Sequence, residues 1–264
     1  MNKYTKTDRS LWGGWTEINK KSELYDLEGF KAGKNVLKSI ELEELTDVSG
    51  KTMLHLQCHF GLDTLSWARM GAKVTGVDFS PKAISLAKSI SRELNIESRF
   101  VCSELFDLPG VLNDKFDIVF TSYGVLTWIN DLDIWAGLVA RYLKTGGLFY
   151  IVEFHPFFSA IDDEGENIEY PYFHSPEPMK FKAEGNYAVP DAAFSHESYE
   201  WSHSIGEIVT ALISAGLKID YLHEFPYSPT KGAPYLVEDK PGRYILEKFP
   251  NLVPLVFSIR AMKE

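Results

Sequence analysis

Apolar positions along the chain switch between two periods, and the switches mark out the elements. Met53, Leu54 and Leu56 form a short apolar run, and from Leu62 the spacing turns helical through Leu65, Trp67, Ala68 and Met70 until Gly71 stops it. A second strand, Lys73 to Val77, then ends on an acid, Asp78. Strand, loop, helix and strand in this order make one βαβ unit. Its crossover is right-handed in nearly all known cases, which brings the first loop and the acid together at the carboxyl edge of a parallel sheet. A nucleotide-like ligand belongs there.

The same alternation continues. Ser80 and Pro81 supply an N-cap and a favoured first helical residue, and Ala83, Ile84, Leu86, Ala87, Ile90 and Leu94 give the buried stripe of a second helix. Arg99 to Ser103 reads as a third strand. Phe116 to Phe120 reads as a fourth, continuously apolar as a strand covered on both faces should be. Leu132 to Leu143 is amphipathic, and Thr145-Gly146-Gly147 turns the chain into a fifth strand over Leu148 to Phe154. Residues 156–198 break the pattern with several prolines, many aromatics and no helical period, as functional inserts commonly do. A helix over Trp201 to Gly216 and strands over Leu217 to Phe225 and Leu252 to Arg260 close the chain. Ahead of the first strand, Met1 to Ser10 is polar and reads as loose. Leu11-Trp12-Gly13-Gly14-Trp15 opens a helical segment through Tyr25 and Phe30, and Val36 to Leu45 reads as a helix.

Length and composition add limits. With 264 residues and 45% hydrophobic composition the chain can bury a full core as one α/β domain. A net charge of −10 argues against a nucleic-acid partner, because that affinity rests on Lys and Arg neutralising phosphates. Cys58 and Cys102 show no Cys-x-x-Cys spacing, so neither a disulfide frame nor a zinc site is expected and the thiols read as reduced. No apolar run approaches the 18 or so residues of a membrane span and no leader pattern is visible, so the expectation is a soluble, cytoplasmic protein.

The dinucleotide fingerprint wants three glycines in the first loop and an acid about 20 residues on. Only Gly61 stands in this loop, and Asp78 follows it by 17 positions. A backbone without the other glycines wraps a pyrophosphate poorly, which disfavours NAD and FAD and leaves room for a nucleoside with no phosphate chain. His55, Cys58 and His59 do not read as a metal site, since spacing of four aligns two histidines only on a helix. Gln57 and His59 either touch a ligand or hydrogen-bond within the loop.

At this point the chain resembles the class I S-adenosylmethionine-dependent methyltransferases, and within them a bacterial branch with LHLQCHFGLDTLSWAR followed by VTGVDFSP. The resemblance extends through FDIVFTSYGVLTWI, LKTGGLFYIVEFHP, YPYFHSPEP, EWSHSIGEIVTALISAGL and PNLVPLVFSIRA. It implies a doubly wound, seven-stranded, mostly parallel Rossmann-like sheet in a single domain, 1–264. The last two strands would form an antiparallel pair, an N-terminal segment over about 11–35 a lid, and residues 156–198 a cap-like insert after strand five. In the broader superfamily the first loop reads acid-x-Gly-x-Gly-x-Gly; here those places hold His55, Gln57, His59 and Gly61. S-adenosylmethionine is the implied cofactor. Asp78 would take the ribose diol, Gln57, His59 and Gly61 the methionine portion, and Glu104 the adenine amino group, unless it is a solvated loop acid. Leu105 would offer its backbone N–H to the ring, Phe79 would flank it, and Ser122 would reach the ligand from the end of strand four. A small-molecule acceptor is expected, with His155 and Tyr123 as the residues that orient it or take its proton. His155 comes first because an unperturbed imidazole titrates near neutrality. Glu153 stands beside them. The alternative is a silent nucleoside-binding regulatory protein, for which the altered loop is the best argument.

Overall fold

The computed structural model describes residues 2–264; Met1, the first residue of the segment read as loose, lies outside them. Seven strands form the central sheet: β1 (Thr52–Leu56), β2 (Lys73–Asp78), β3 (Arg99–Cys102), β4 (Phe116–Ser122), β5 (Leu143–Phe154), β8 (Leu217–Phe225) and β11 (Val256–Lys263). Their order is β3-β2-β1-β4-β5-β11-β8. β1, β2, β3, β4 and β5 pair in parallel, and β11 is antiparallel to both β5 and β8. This is the doubly wound, mostly parallel sheet expected, with its antiparallel pair at one edge.

Strand alternation sorts the core into two layers. Leu54, Leu56, Val119, Phe149 and Ile151 face α6 (Leu132–Tyr142) and α8 (Ile205–Ser214), where Trp135, Val139 and Leu212 complete the layer. Met53, Ile118, Phe120, Tyr150 and Val152 point the other way, onto Ile40 of α3 (Ser39–Glu44) and Trp67 of α4 (Leu62–Arg69). Residues one apart thus serve opposite faces, which is why the strands read as unbroken apolar runs. α5 (Pro81–Glu93) brings Ile84, Ala87 and Ile90 against Phe100 and Leu65. Ser80 caps it by accepting from the Ala83 N–H at 3.3 Å.

Three elements differ from their sequence reading. The segment expected to be loose is the start of α1 (Lys3–Asn19), capped by Asn2 accepting from the Thr5 N–H at 2.9 Å. Its inner face is Asp8, Leu11, Trp15 and Asn19, a helical spacing concealed because two of the four are polar. The helix expected over 36–45 is only α3, and the one expected from Trp201 starts at Ile205, where Ser204 and Glu207 form a capping box. Between α1 and α3 lies α2 (Leu27–Lys31), and the insert is built from α7 (Pro156–Ser159) and the hairpin β6 (Met179–Glu184) and β7 (Ser195–Glu200). A second hairpin, β9 (Leu236–Lys240) with β10 (Arg243–Leu246), was not foreseen. It closes a satellite core of Phe158, Leu236, Leu246 and Leu255.

Candidate functional site

The loop after β1 is held in an uncommon conformation. Gln57 (φ 55°), His59 (φ 50°) and Gly61 (φ 77°) are all left-handed, a state that costs a non-glycine residue about 1–3 kcal/mol. The neighbouring strands supply the bonds that hold it. The His59 N–H donates to Asp78 Oδ2 at 2.9 Å, the Cys58 N–H to the Val77 carbonyl at 2.9 Å, and Gln57 Nε2 to the Val125 carbonyl at 3.0 Å. Asp78 Oδ1 accepts from the Ser80 N–H at 2.8 Å, so the acid at the end of β2 anchors the turns on both sides of it. His55 pairs with Thr64 Oγ1 at 2.8 Å through Nδ1.

A cavity of about 460 Å³ opens over this edge, within the range of small-molecule sites. Gln57, His59, Gly61, Asp78, Phe79, Glu104, Leu105, Ser122 and Tyr123 all line it, so nine of the ten residues singled out from the sequence are brought together. Glu104 bonds inward through Oε2, accepting from the N–H groups of Phe106 (2.8 Å) and Asp107 (3.1 Å). Asp63, on the first turn of α4, also lines the cavity and accepts from Ser122 Oγ at 3.3 Å. Burial pushes the carboxyls of Asp63 and Glu104 up, and that of Asp78 up to about 6. Four carboxylates, with Glu200, face two cations, Lys38 and Lys231, so the lining favours a ligand carrying positive charge.

Polar atoms in the lining await a partner. Gln57 Oε1 and both ring nitrogens of His59 are buried without a hydrogen bond, and such a group costs about 1–3 kcal/mol. Burial pushes the His59 imidazole down to about 3, so it is neutral and offers one donor and one acceptor. Aromatic rings enclose it, with centroids of Phe60, Trp12 and Tyr25 at 4.4, 5.1 and 5.4 Å.

α1 and the insert form the roof. Asn19 Nδ2 donates to the Tyr187 hydroxyl at 3.0 Å, Tyr25 and Tyr187 share a short hydroxyl–hydroxyl bond, and Trp15 Nε1 donates to the Gly185 carbonyl at 3.4 Å. Buried Asp8 accepts from the Tyr199 N–H at 3.0 Å and joins α1 to β7.

At the far end, Tyr123 (φ 21°) donates its hydroxyl to Glu41 Oε2 at 2.8 Å, beside Phe154, Thr230 and Lys231. Glu153 holds the loop after β4. It accepts from the N–H groups of Gly124, Val125 (2.7 Å) and Leu126 (3.1 Å) and does not face the cavity. His155 departs from expectation. It caps α7 by accepting from the Phe157 N–H at 3.0 Å through Nδ1, while Nε2 pairs with Glu224 at 2.8 Å. Both nitrogens are engaged and the ring lies outside the cavity lining, apart from the nine residues gathered there. Asp63, Lys38 and Glu200 were missed by sequence reading. Only Asp63 carried a usable signal, an acid two residues past the loop glycine.

Among the described residues no cluster of three or more His, Cys, Asp or Glu could hold a metal, and no helix is long and apolar enough to cross a membrane.

Residues 54–151 match a family model described as a methyltransferase domain. An uncharacterized methyltransferase of Synechocystis sp. is 35% identical over 126 residues, covering 47% of this chain and 56% of that one. A ubiquinone biosynthesis O-methyltransferase of Xanthomonas oryzae pv. oryzae is 27% identical over 130 residues, covering 48% and 54%. The chain thus spans about half the length of the curated relatives it matches. In fold it is similar to a putative S-adenosylmethionine-dependent methyltransferase from Listeria monocytogenes, with a TM-score of 0.60 at 20% identity over 85% of this chain and 97% of that one.

Proposed function

We propose that this protein binds S-adenosylmethionine at the carboxyl edge of β1, β2 and β4 and transfers its methyl group to a small-molecule acceptor. One observation carries the reading: the cavity with Gly61, Asp78 and Glu104 in its wall lies on the segment that matches a methyltransferase domain. The residues fit the cofactor. Asp78 accepts from the backbone N–H groups of His59, Phe79 and Ser80, fewer than a carboxylate can take, so it keeps acceptor capacity for a ribose hydroxyl. Phe79 and Leu105 offer apolar surface to an adenine, with Glu104 beside them. The orphaned atoms of Gln57 and His59, with Asp63 and Ser122, suit the amino-acid end, and the acidic lining suits a sulfonium.

S-adenosylmethionine brings an already activated methyl group, so the protein's work is positioning and exclusion of water. Proximity alone can lower such a barrier by about 7–11 kcal/mol. The roof of Trp12, Trp15, Tyr25 and Tyr187 closes the cavity, and we read α1 and the insert as a lid that opens for exchange. Tyr123, Phe154 and Lys231 mark the acceptor end.

Calorimetry with S-adenosylhomocysteine, S-adenosylmethionine and NAD tests the cofactor. Binding of the first two and not of NAD is expected, and tight NAD binding would sink the assignment. Incubation of labelled cofactor with a mixed metabolite pool tests the chemistry through formation of S-adenosylhomocysteine, which a pure binder would not release.

A further inference from the structure

Glu41 lies outside the matched segment, bonds to Tyr123 at the acceptor end, and is not itself in the cavity lining. It sits on α3, only 1% exposed. Oε1 accepts from the Lys38 N–H at 2.5 Å, which fixes the side chain, and Oε2 accepts from the Tyr123 hydroxyl at 2.8 Å. Tyr123 lines the cavity, its ring 5.7 Å from that of Phe154, and its φ is 21°. A buried carboxylate bonded to the hydroxyl of a tyrosine that lines the cavity is placed to receive a proton through that hydroxyl.

Resting on the methyl-transfer reading, we propose that Tyr123 and Glu41 form a proton-accepting dyad and that the methyl acceptor is a phenolic hydroxyl seated against Tyr123 and Phe154. The phenol oxygen gives its proton to Tyr123 Oη as the Tyr123 proton passes to Glu41 Oε2. The freed oxygen lone pair attacks the methyl carbon as the carbon–sulfur bond breaks, and its electrons leave with a neutral thioether. Charge balances: one carboxylate and one sulfonium are consumed, and a carboxylic acid, an ether and a thioether result. A phenol suits the relay because its proton affinity matches that of the tyrosine it hands the proton to, with both ordinarily near pKa 10. The flanking aromatic rings fit a planar acceptor. Tyr123 would be the catalytic residue, and Glu41 the positioning residue that acts through it.

The groups around Glu41 set its titration. Asp63 on α4 raises it, the Lys38 N–H and the Tyr123 hydroxyl lower it, Tyr150 on β5 stands nearby, and burial dominates, bringing the carboxyl to about 7. Turnover at saturating cofactor should therefore fall as pH drops below about 7, because Glu41 must be ionised to receive the proton.

The test uses full-length wild type, Glu41→Gln and Tyr123→Phe. Labelled S-adenosylmethionine and a panel of simple phenols, with an amine and a thiol as comparators, report turnover. Infrared titration of the ligand-free protein reports the Glu41 carboxyl directly. Both variants should bind S-adenosylhomocysteine within about twofold of wild type, lose about 10²-fold or more in kcat and lose the acid limb. The double variant should lose little more than either, as for groups that act as a unit. A carboxyl band titrating near neutrality should vanish in Glu41→Gln and shift to higher pH in Tyr123→Phe, which has lost the hydrogen bond. Wild-type turnover with an unchanged pH profile in Glu41→Gln overturns the dyad. Should that variant misfold, full activity in Tyr123→Phe does the same. Cofactor binding with methylation of the amine or thiol alone, or of nothing in the panel, overturns the phenol. A wild type that binds no S-adenosylhomocysteine fails earlier, at the methyl-transfer reading itself.

Discussion

Replacing Gly61 by alanine tests how the ligand loop is built. A Cβ there would stand 2.6 and 2.8 Å from the Phe100 ring and 3.2 Å from the Ala87 Cβ. The left-handed φ of 77° adds about 1–2 kcal/mol for any L side chain, and forcing a packed ring aside adds about 1–3 kcal/mol. Phe100 has no easy retreat. It is 6% exposed and already lies where a Cβ at Gly76 would come within 2.7 Å. The sum is about 2–5 kcal/mol, a large part of a typical stability of about 5–15 kcal/mol. Melting should fall by about 2–4 °C for each of those kcal/mol. Because Gly61 is also the N-cap of α4, the shift would carry Asp63 with it and weaken S-adenosylhomocysteine binding.

Urea denaturation of wild type, Gly61→Ala, Phe100→Leu and the double variant separates the two costs. A smaller side chain at 100 relieves the collision and leaves the φ strain. The double variant should therefore be about 1–3 kcal/mol more stable than additivity allows. A Gly61→Ala protein within about 0.5 kcal/mol of wild type, or strict additivity in the cycle, would refute this account of the loop.

Asp78→Ala should lower S-adenosylhomocysteine affinity by about 10²-fold or more, since hydrogen bonds to a charged group are worth about 1.5–3 kcal/mol each. In wild type, affinity read by calorimetry should fall about tenfold per unit below about pH 6, where buried Asp78 takes up a proton and loses an acceptor oxygen. Burial raises the Asp8 carboxyl to about 7 from an unfolded value of 3.8, so the folded state holds the extra proton between them and stability should fall as pH rises across that window. Asp8→Asn should flatten that fall in thermal melts and raise stability at pH 8. Tyr187→Phe, which removes the hydroxyl bonded to Tyr25 and Asn19, should speed amide exchange in α1, and ligand binding to wild type should slow exchange in α1 and in 156–198.

The sheet was legible because its strands and helices differ in period: Met53 and Leu54 serve opposite layers, whereas the stripe of α5 repeats every third or fourth residue. The part of the cavity wall built from strand ends was legible for the same reason, since strand ends in an open sheet converge on one edge. The first turns of α1 were not, because Asp8 is buried by a partner on β7 that no local pattern announces. The place of His155 outside the lining has a local signal in its neighbour. Proline at the first position of a helix marks the residue before it as a cap, and His155 precedes Pro156. Glu41 lies 82 positions from Tyr123, and a pair at that separation forms only once α3 packs on the sheet.

The missing glycines also have a physical account. Left-handed backbone at Gln57 and His59 is what glycine would supply at no cost, and here hydrogen bonds hold it. Asp78 fixes the His59 N–H, and the Gln57 side chain, which glycine would lack, reaches across to the Val125 carbonyl. Val125 is in turn held through its N–H by Glu153, on β5. The substitution therefore exchanges conformational freedom for connection. A single bonded chain runs from Asp78 at the end of β2, through the loop, to the segment that carries Tyr123. A glycine-rich loop, with no side chain at position 57, would have no such link.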